Sequence, residues 1–215
     1  MQRTVFSSPV LLPPLRLVSR LTLKLGGWTL HGEGEREGVD KYVLVAGPHT
    51  SNWDLLWLLV AAFVLRVRVF WMGKHTIFRQ PTRALMLWLG GVPIDRRKNH
   101  DVVSQMCDAF KRENVLHLLI PPEGSRGRRE KWKTGFWHIA MRANVPVYLS
   151  FLCYETKQVG IGPRIDLTGD INADLRKIIG FYVTKVGKFP NQGPQLEDLK
   201  IEYEQPDLAM TGTED

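Results

Sequence analysis

At 215 residues, 44% of them hydrophobic and 24% charged, the chain is long enough to bury one substantial core, and its composition excludes the disordered and fibrous classes. The formal charge of +7 is unevenly placed: residues 196–215 carry −6 and residues 1–195 carry +13, which turns the body toward anionic partners without choosing among nucleic acid, a membrane surface and an anionic substrate. Two cysteines, Cys107 and Cys153, make neither a disulfide framework nor a cysteine-rich metal site and imply a reducing, cytosol-facing compartment.

Taken in chain order, prolines at 9, 13 and 14 and arginines at 16 and 20 interrupt any signal-peptide core. Residues 15–25 (LRLVSRLTLKL) instead predict a short amphipathic helix. Its four-residue spacing aligns Arg16, Arg20 and Lys24, and Leu15, Leu17, Val18, Leu21 and Leu25 cover much of the remainder. Two readings stand: a basic helix lying in a membrane interface, or a helix packed on the domain's own core with a solvated basic edge. The longest uncharged apolar run, 55–65, is about half the ~20 residues that span a bilayer, so no transmembrane helix is expected.

Beyond this helix, short apolar runs alternate with helix-compatible segments. Strands are expected at 42–46, 67–72, 92–94, 115–120, 145–152 and 164–167, and helices at 52–65, 77–89, 99–113, 134–143 and 172–186. Strands that are continuously apolar and β-branched suit burial on both faces. The pattern predicts one α/β domain over 31–195, with a mainly parallel, mixed sheet flanked by helices. A membrane-associating segment at 1–30 precedes it and an acidic tail at 196–215 follows.

In open α/β sheets, function gathers in the loops beyond the carboxyl ends of the strands. His49 follows the first expected strand, Lys74 the second, Arg96 the third and Glu123, Gly124, Ser125 and Arg126 the fourth. His49 and Asp54 stand five apart. In a continuous helix they would sit about 140° around the axis and about 7.5 Å along it, too far to bond. They meet only if His49 lies in the loop and Asp54 in the first helical turn, a bend that Ser51 or Asn52 produces as N-cap. Asp54 then fixes the imidazole tautomer, and the other ring nitrogen is free to take a hydroxyl proton. On spacing alone the pair is weak, since chance supplies about a third of one such spacing in a chain with this composition. Its place at a strand-to-helix turn strengthens it.

In the 123–126 loop, Gly124 lets backbone amides face a ligand, Ser125 adds a donor and Arg126 offers a fork suited to phosphate. Glu123 either holds Arg126 or bonds an acceptor hydroxyl. The bland alternative is a tight turn with a solvated arginine. Lys74 and Arg96 are second candidates for the same anion, and Arg128 and Arg129 read as surface residues. No metal-ligand cluster, nucleic-acid motif or G-x-S-x-G is present.

Together the blocks carry a family resemblance. HTSNWD resembles the His-x4-Asp motif of the glycerolipid acyltransferases typified by 1-acylglycerol-3-phosphate acyltransferase. GGVPIDRR is similar to that family's second block, PPEGSRGRREKWKTGF to its third, with Ser125 in place of the familiar threonine, and VPVYL to its fourth. The blocks fall in the family's order across 47–149. The resemblance implies a glycerol-phosphate acyltransferase-like fold and transfer of a fatty acyl group from acyl-CoA or acyl carrier protein to the hydroxyl of a lysophospholipid. His49 is then the base and Asp54 its orienter, while Glu123, Gly124, Ser125 and Arg126 hold the acceptor phosphate with Arg96 and Lys74 in support. It implies no metal or other cofactor, no nucleic-acid partner, and peripheral attachment to an anionic membrane surface on the cytosolic side. The acceptor stays open: another lysophospholipid, an aminolipid or a non-phosphorylated alcohol suits the same chemistry.

Overall fold

The computed structural model describes residues 3–32, 38–94, 99–124, 128 and 131–204. Seven strands form one sheet: β1 (Thr29–His31), β2 (Lys41–Gly47), β3 (Val69–Lys74), β4 (Gly91–Ile94), β5 (Leu116–Ile120), β6 (Val147–Cys153) and β7 (Gln158–Ile165), in spatial order β1-β7-β6-β2-β5-β3-β4. Strands β6, β2, β5, β3 and β4 are parallel, so their carboxyl ends share one edge. β7 pairs antiparallel with β6, and β1 runs parallel to β7. The architecture is the expected α/β domain with a mostly parallel sheet.

Alternation along the strands explains why both faces are covered. Val43 and Val45 of β2 join Leu116, Leu118, Val147 and Leu149 in a core closed by α4 (Asn99–Arg112), α5 (Gly135–Ala143) and α6 (Ile171–Tyr182). Their neighbours Tyr42 and Leu44 face the other way, onto α2 (Trp53–Leu65) through Leu59, Ala62 and Phe63. α2 is apolar almost all round, which suits a helix sandwiched between the sheet and α1 (Leu12–Gly26).

Four elements differ from expectation. The helix expected at 77–89 is a 3-10 turn at His75–Ile77 followed by α3 (Arg83–Trp88), because Pro81 cannot sit inside a helix. β7 begins at Gln158, well before 164, and β1 was not expected at all. The helix expected to 186 ends at Tyr182. Residues 196–204 of the acidic stretch lie on the domain: Arg128 donates to the buried Asp198 carboxylate at 3.0 Å, and the Trp132 amide donates to the Tyr203 hydroxyl at 3.0 Å.

α1 combines features of both readings of the N-terminal helix. Leu12, Leu15, Ser19 and Leu23 face the core, whereas Leu17, Val18, Leu21 and Leu25 are 50–87% exposed and Arg20 and Lys24 stand in solvent. No helix among the described residues is long and apolar enough to cross a membrane.

Candidate active site

The loop that leaves β2 wraps around one carboxylate. Asp54, the second residue of α2, is buried, and its Oδ2 accepts the backbone amides of Thr50 at 2.8 Å and Ser51 at 2.7 Å. The same oxygen faces His49 Nδ1 at 3.1 Å. Asp54 Oδ1 accepts the Tyr154 hydroxyl at 2.8 Å. N-capping therefore differs in detail from expectation: Asn52 occupies the N-cap position without a side-chain capping bond, Ser51 Oγ accepts the Trp53 amide at 3.2 Å, and Asp54 satisfies the loop amides before it. A negative charge at this end of α2 is also favoured by the helix dipole.

An ionised Asp54 offers only acceptors, so Nδ1 of His49 carries the hydrogen between them and Nε2 is the lone-pair nitrogen. The histidine side chain is 29% exposed and borders a cavity of about 270 Å³. Residues from four strand ends line that cavity: Gly47 at the end of β2 and Pro48 after it, Lys74 from β3, Pro121 and Gly124 after β5, and Leu152 from β6. Leu55, Leu58, Trp71 and Leu119 make its walls apolar.

Glu123 sits beneath the loop. It is 3% exposed, and its Oε2 accepts the His49 amide at 2.6 Å. Its second oxygen is buried without a hydrogen-bond partner among the described residues. Burial pushes the carboxyl up to about 8; the His49 amide works against this shift and the Asp54 charge adds to it. Among the described residues the partner of Glu123 is the backbone of the histidine loop; Arg126, which it was expected to hold, lies outside them. Gly124 is in the left-handed region, φ 67°, where glycine alone is unstrained. The Lys133 amide closes the loop by donating to Pro122 O at 2.8 Å.

Of the sequence-predicted site residues, His49, Asp54, Gly124 and Lys74 line this cavity, and Glu123 lies beneath the His49 loop. Ser125, Arg126 and Arg96 lie outside the described residues. Arg128 is a surface residue paired with Asp198, as expected, and Arg129 lies outside the described residues. Among the described residues, no group of three or more His, Cys, Asp or Glu is arranged to hold a metal ion.

Tyr154 was missed. It carries no motif, but it follows β6, and applying the strand-end rule to the 145–152 strand as well as to the first four points to it.

The fold and site define an α/β domain with a buried aspartate and a partly exposed histidine paired at the edge of a parallel sheet, opening on an apolar cleft. The family model described as Acyltransferase matches residues 29–149, from β1 into β6, and the chain belongs to that acyltransferase family. Among solved structures the fold is similar to the crystal structure of the 1-acyl-sn-glycerophosphate (LPA) acyltransferase PlsC from Thermotoga maritima. That similarity has a TM-score of 0.53 at 16% sequence identity and covers 90% of this chain and 81% of that one. No curated protein sequence matches the chain.

Proposed function

We propose that this chain is a 1-acylglycerol-3-phosphate O-acyltransferase, moving a fatty acyl group from acyl-CoA or acyl carrier protein to a lysophospholipid hydroxyl in phospholipid synthesis. The observation that carries the reading is the His49–Asp54 pair, with the imidazole bordering an apolar cleft. The acceptor hydroxyl attacks the thioester carbonyl directly as Nε2 takes its proton, and Asp54 stabilises the imidazolium. A tetrahedral oxyanion forms and collapses with loss of the thiolate, which takes the proton back from His49. No acyl-enzyme and no metal enter the sequence. The carboxyl-end residues Glu123, Gly124, Ser125 and Arg126, with Arg96 and Lys74, are assigned to the acceptor phosphate, and the apolar walls to the acyl chain.

Attachment to an anionic membrane surface from the cytosolic side fits the exposed leucines of α1 and their flanking Arg20 and Lys24. A labelled acyl thioester offered with a panel of lysophospholipid and phosphate-free acceptors tests the whole reading. Wild type is expected to acylate 1-acylglycerol-3-phosphate, and His49→Ala to lose the activity by about three orders of magnitude or more. Turnover by His49→Ala near the wild-type rate overturns the mechanism, and equal use of phosphate-free acceptors overturns the acceptor assignment.

A further inference from the structure

We infer that Tyr154 is a positioning residue for the catalytic pair: its phenol fixes the plane and charge of the Asp54 carboxylate and so sets the orientation and basicity of His49. The inference rests on the function proposed above.

Among the described residues, three of the four hydrogen bonds to Asp54 fall on Oδ2, from the amides of Thr50 and Ser51 and from His49. The terminal torsion of an aspartate is broad and two-fold, so donors to one oxygen leave the carboxylate plane poorly determined. The Tyr154 hydroxyl, 2.8 Å from Oδ1, is the second point that determines it. Asp54 is 4% exposed, so without the phenol Oδ1 would lose its partner in a site with little access to water.

Tyr154 is itself held through its backbone and its ring. The Tyr154 amide donates to Val186 O at 2.8 Å. Its ring meets Trp28 edge-on at 5.2 Å, and Trp28 packs on Trp57 of α2 at 4.5 Å. Trp57 lies three residues after Asp54, so the aromatic cluster grips the same turn of helix that carries the carboxylate. Gly26 permits this: a Cβ there would stand 2.9 Å from Trp28 and 3.1 Å from Trp57. Burial and the neighbouring carboxylate raise the phenol's pKa, which keeps it a donor.

The charged and titratable groups facing His49 among the described residues are Asp54 from α2, Glu123 after β5, Tyr154 after β6 and Lys74 at the end of β3. Removing the phenol's hydroxyl leaves the Asp54 charge less dispersed and directs more of it at His49, which favours the imidazolium.

Tyr154→Phe tests this with two readouts. In an NMR titration of the histidine rings, with His49 assigned by its disappearance in His49→Ala, the His49 pKa is expected to rise by about half a unit. In the acyl-transfer assay, kcat is expected to fall about tenfold with KM little changed, and the acid limb of the kcat/KM profile to move to higher pH by the same half unit. An unshifted His49 titration in a folded variant overturns the inference. If wild type transfers no acyl group, the proposed function fails while the titration still decides the role of Tyr154. Should Tyr154→Phe not fold, Trp28→Leu loosens the phenol without deleting it and carries the same titration, with a shift supporting the inference and no shift overturning it.

Discussion

Replacing Glu123 with glutamine keeps the side-chain shape and an oxygen for the His49 amide but removes the ionisable proton. The wild-type carboxyl is raised from 4.5 to about 8 by burial. Between those values the folded chain holds a proton that the unfolded chain has released, so stability falls as pH rises, by about 1.4 kcal/mol for each pH unit. Below the unfolded value the contribution is fully present. Above the folded value it is gone, a total of roughly 5 kcal/mol. Glutamine carries no such dependence. Its amide nitrogen takes the place of the unpartnered oxygen and costs about 1–3 kcal/mol, but equally at every pH.

Urea unfolding of both proteins at pH 5, 6, 7, 8 and 9 separates the two effects, because the slope with pH belongs to the proton and the constant offset to the amide. The stability difference, variant minus wild type, is expected to climb by about 1.4 kcal/mol per unit from pH 5 to 8 and then level off, with m-values matched. A difference constant from pH 5 to 9 refutes the protonated Glu123. The same proton matters for the site: its loss in alkaline solution places a second negative charge under the His49 loop, beside Asp54.

Lys74→Ala, at an exposed strand end on the rim of the cavity, is expected to raise KM for an anionic acceptor about fivefold at low salt, with little effect on kcat and none on a phosphate-free acceptor. An equal rise for both acceptors removes Lys74 from the phosphate site. The pair Leu17→Glu and Leu21→Glu converts the exposed face of α1 from apolar to acidic, and sedimentation with anionic vesicles is expected to show binding weakened about a hundredfold. Undiminished sedimentation removes α1 from the bilayer contact. Gly124→Ala forces a Cβ onto a backbone at φ 67°, and a cost of about 1–2 kcal/mol is expected to lower the thermal midpoint by a few degrees. An unchanged midpoint rejects the left-handed turn.

The parallel core of the sheet was legible because β2, β3, β5 and β6 are buried on both faces, and that burial writes an unbroken apolar run into the sequence. The β7–β1 edge was not. β7 contains Gly160, Gly162 and Pro163, which read as breakers, yet the glycines are what the pairing needs. A side chain at Gly32 would run into Ile161 O, and one at Gly160 into His31 O. Glycine signals close approach of two backbones as readily as it signals a turn, and sequence alone does not separate the two. The His49–Asp54 contact was readable from spacing plus the strand-to-helix bend. The partner of Glu123 was not, since a backbone amide has no letter of its own. Tyr154 was hidden for a third reason: it follows a strand and lies 100 residues from Asp54 in the sequence, and only the closed sheet brings the two together.

The two members of the pair are unequal as probes of chemistry. Asp54 organises the loop from which His49 projects, through the amides of Thr50 and Ser51, and it anchors Tyr154 as well. Asn at 54 keeps one oxygen but turns the other acceptor into a donor, which then faces amides or a phenol that are donors themselves. Lost activity in that variant therefore mixes a displaced loop with a lost charge. His49 is different, because among the described residues its ring bonds to Asp54 alone, and its amide remains bonded to Glu123 whatever the side chain. Removing the imidazole leaves the loop's backbone bonds in place, so activity lost at His49 with the thermal midpoint unchanged reports on proton transfer, and activity lost at Asp54 does not do so alone.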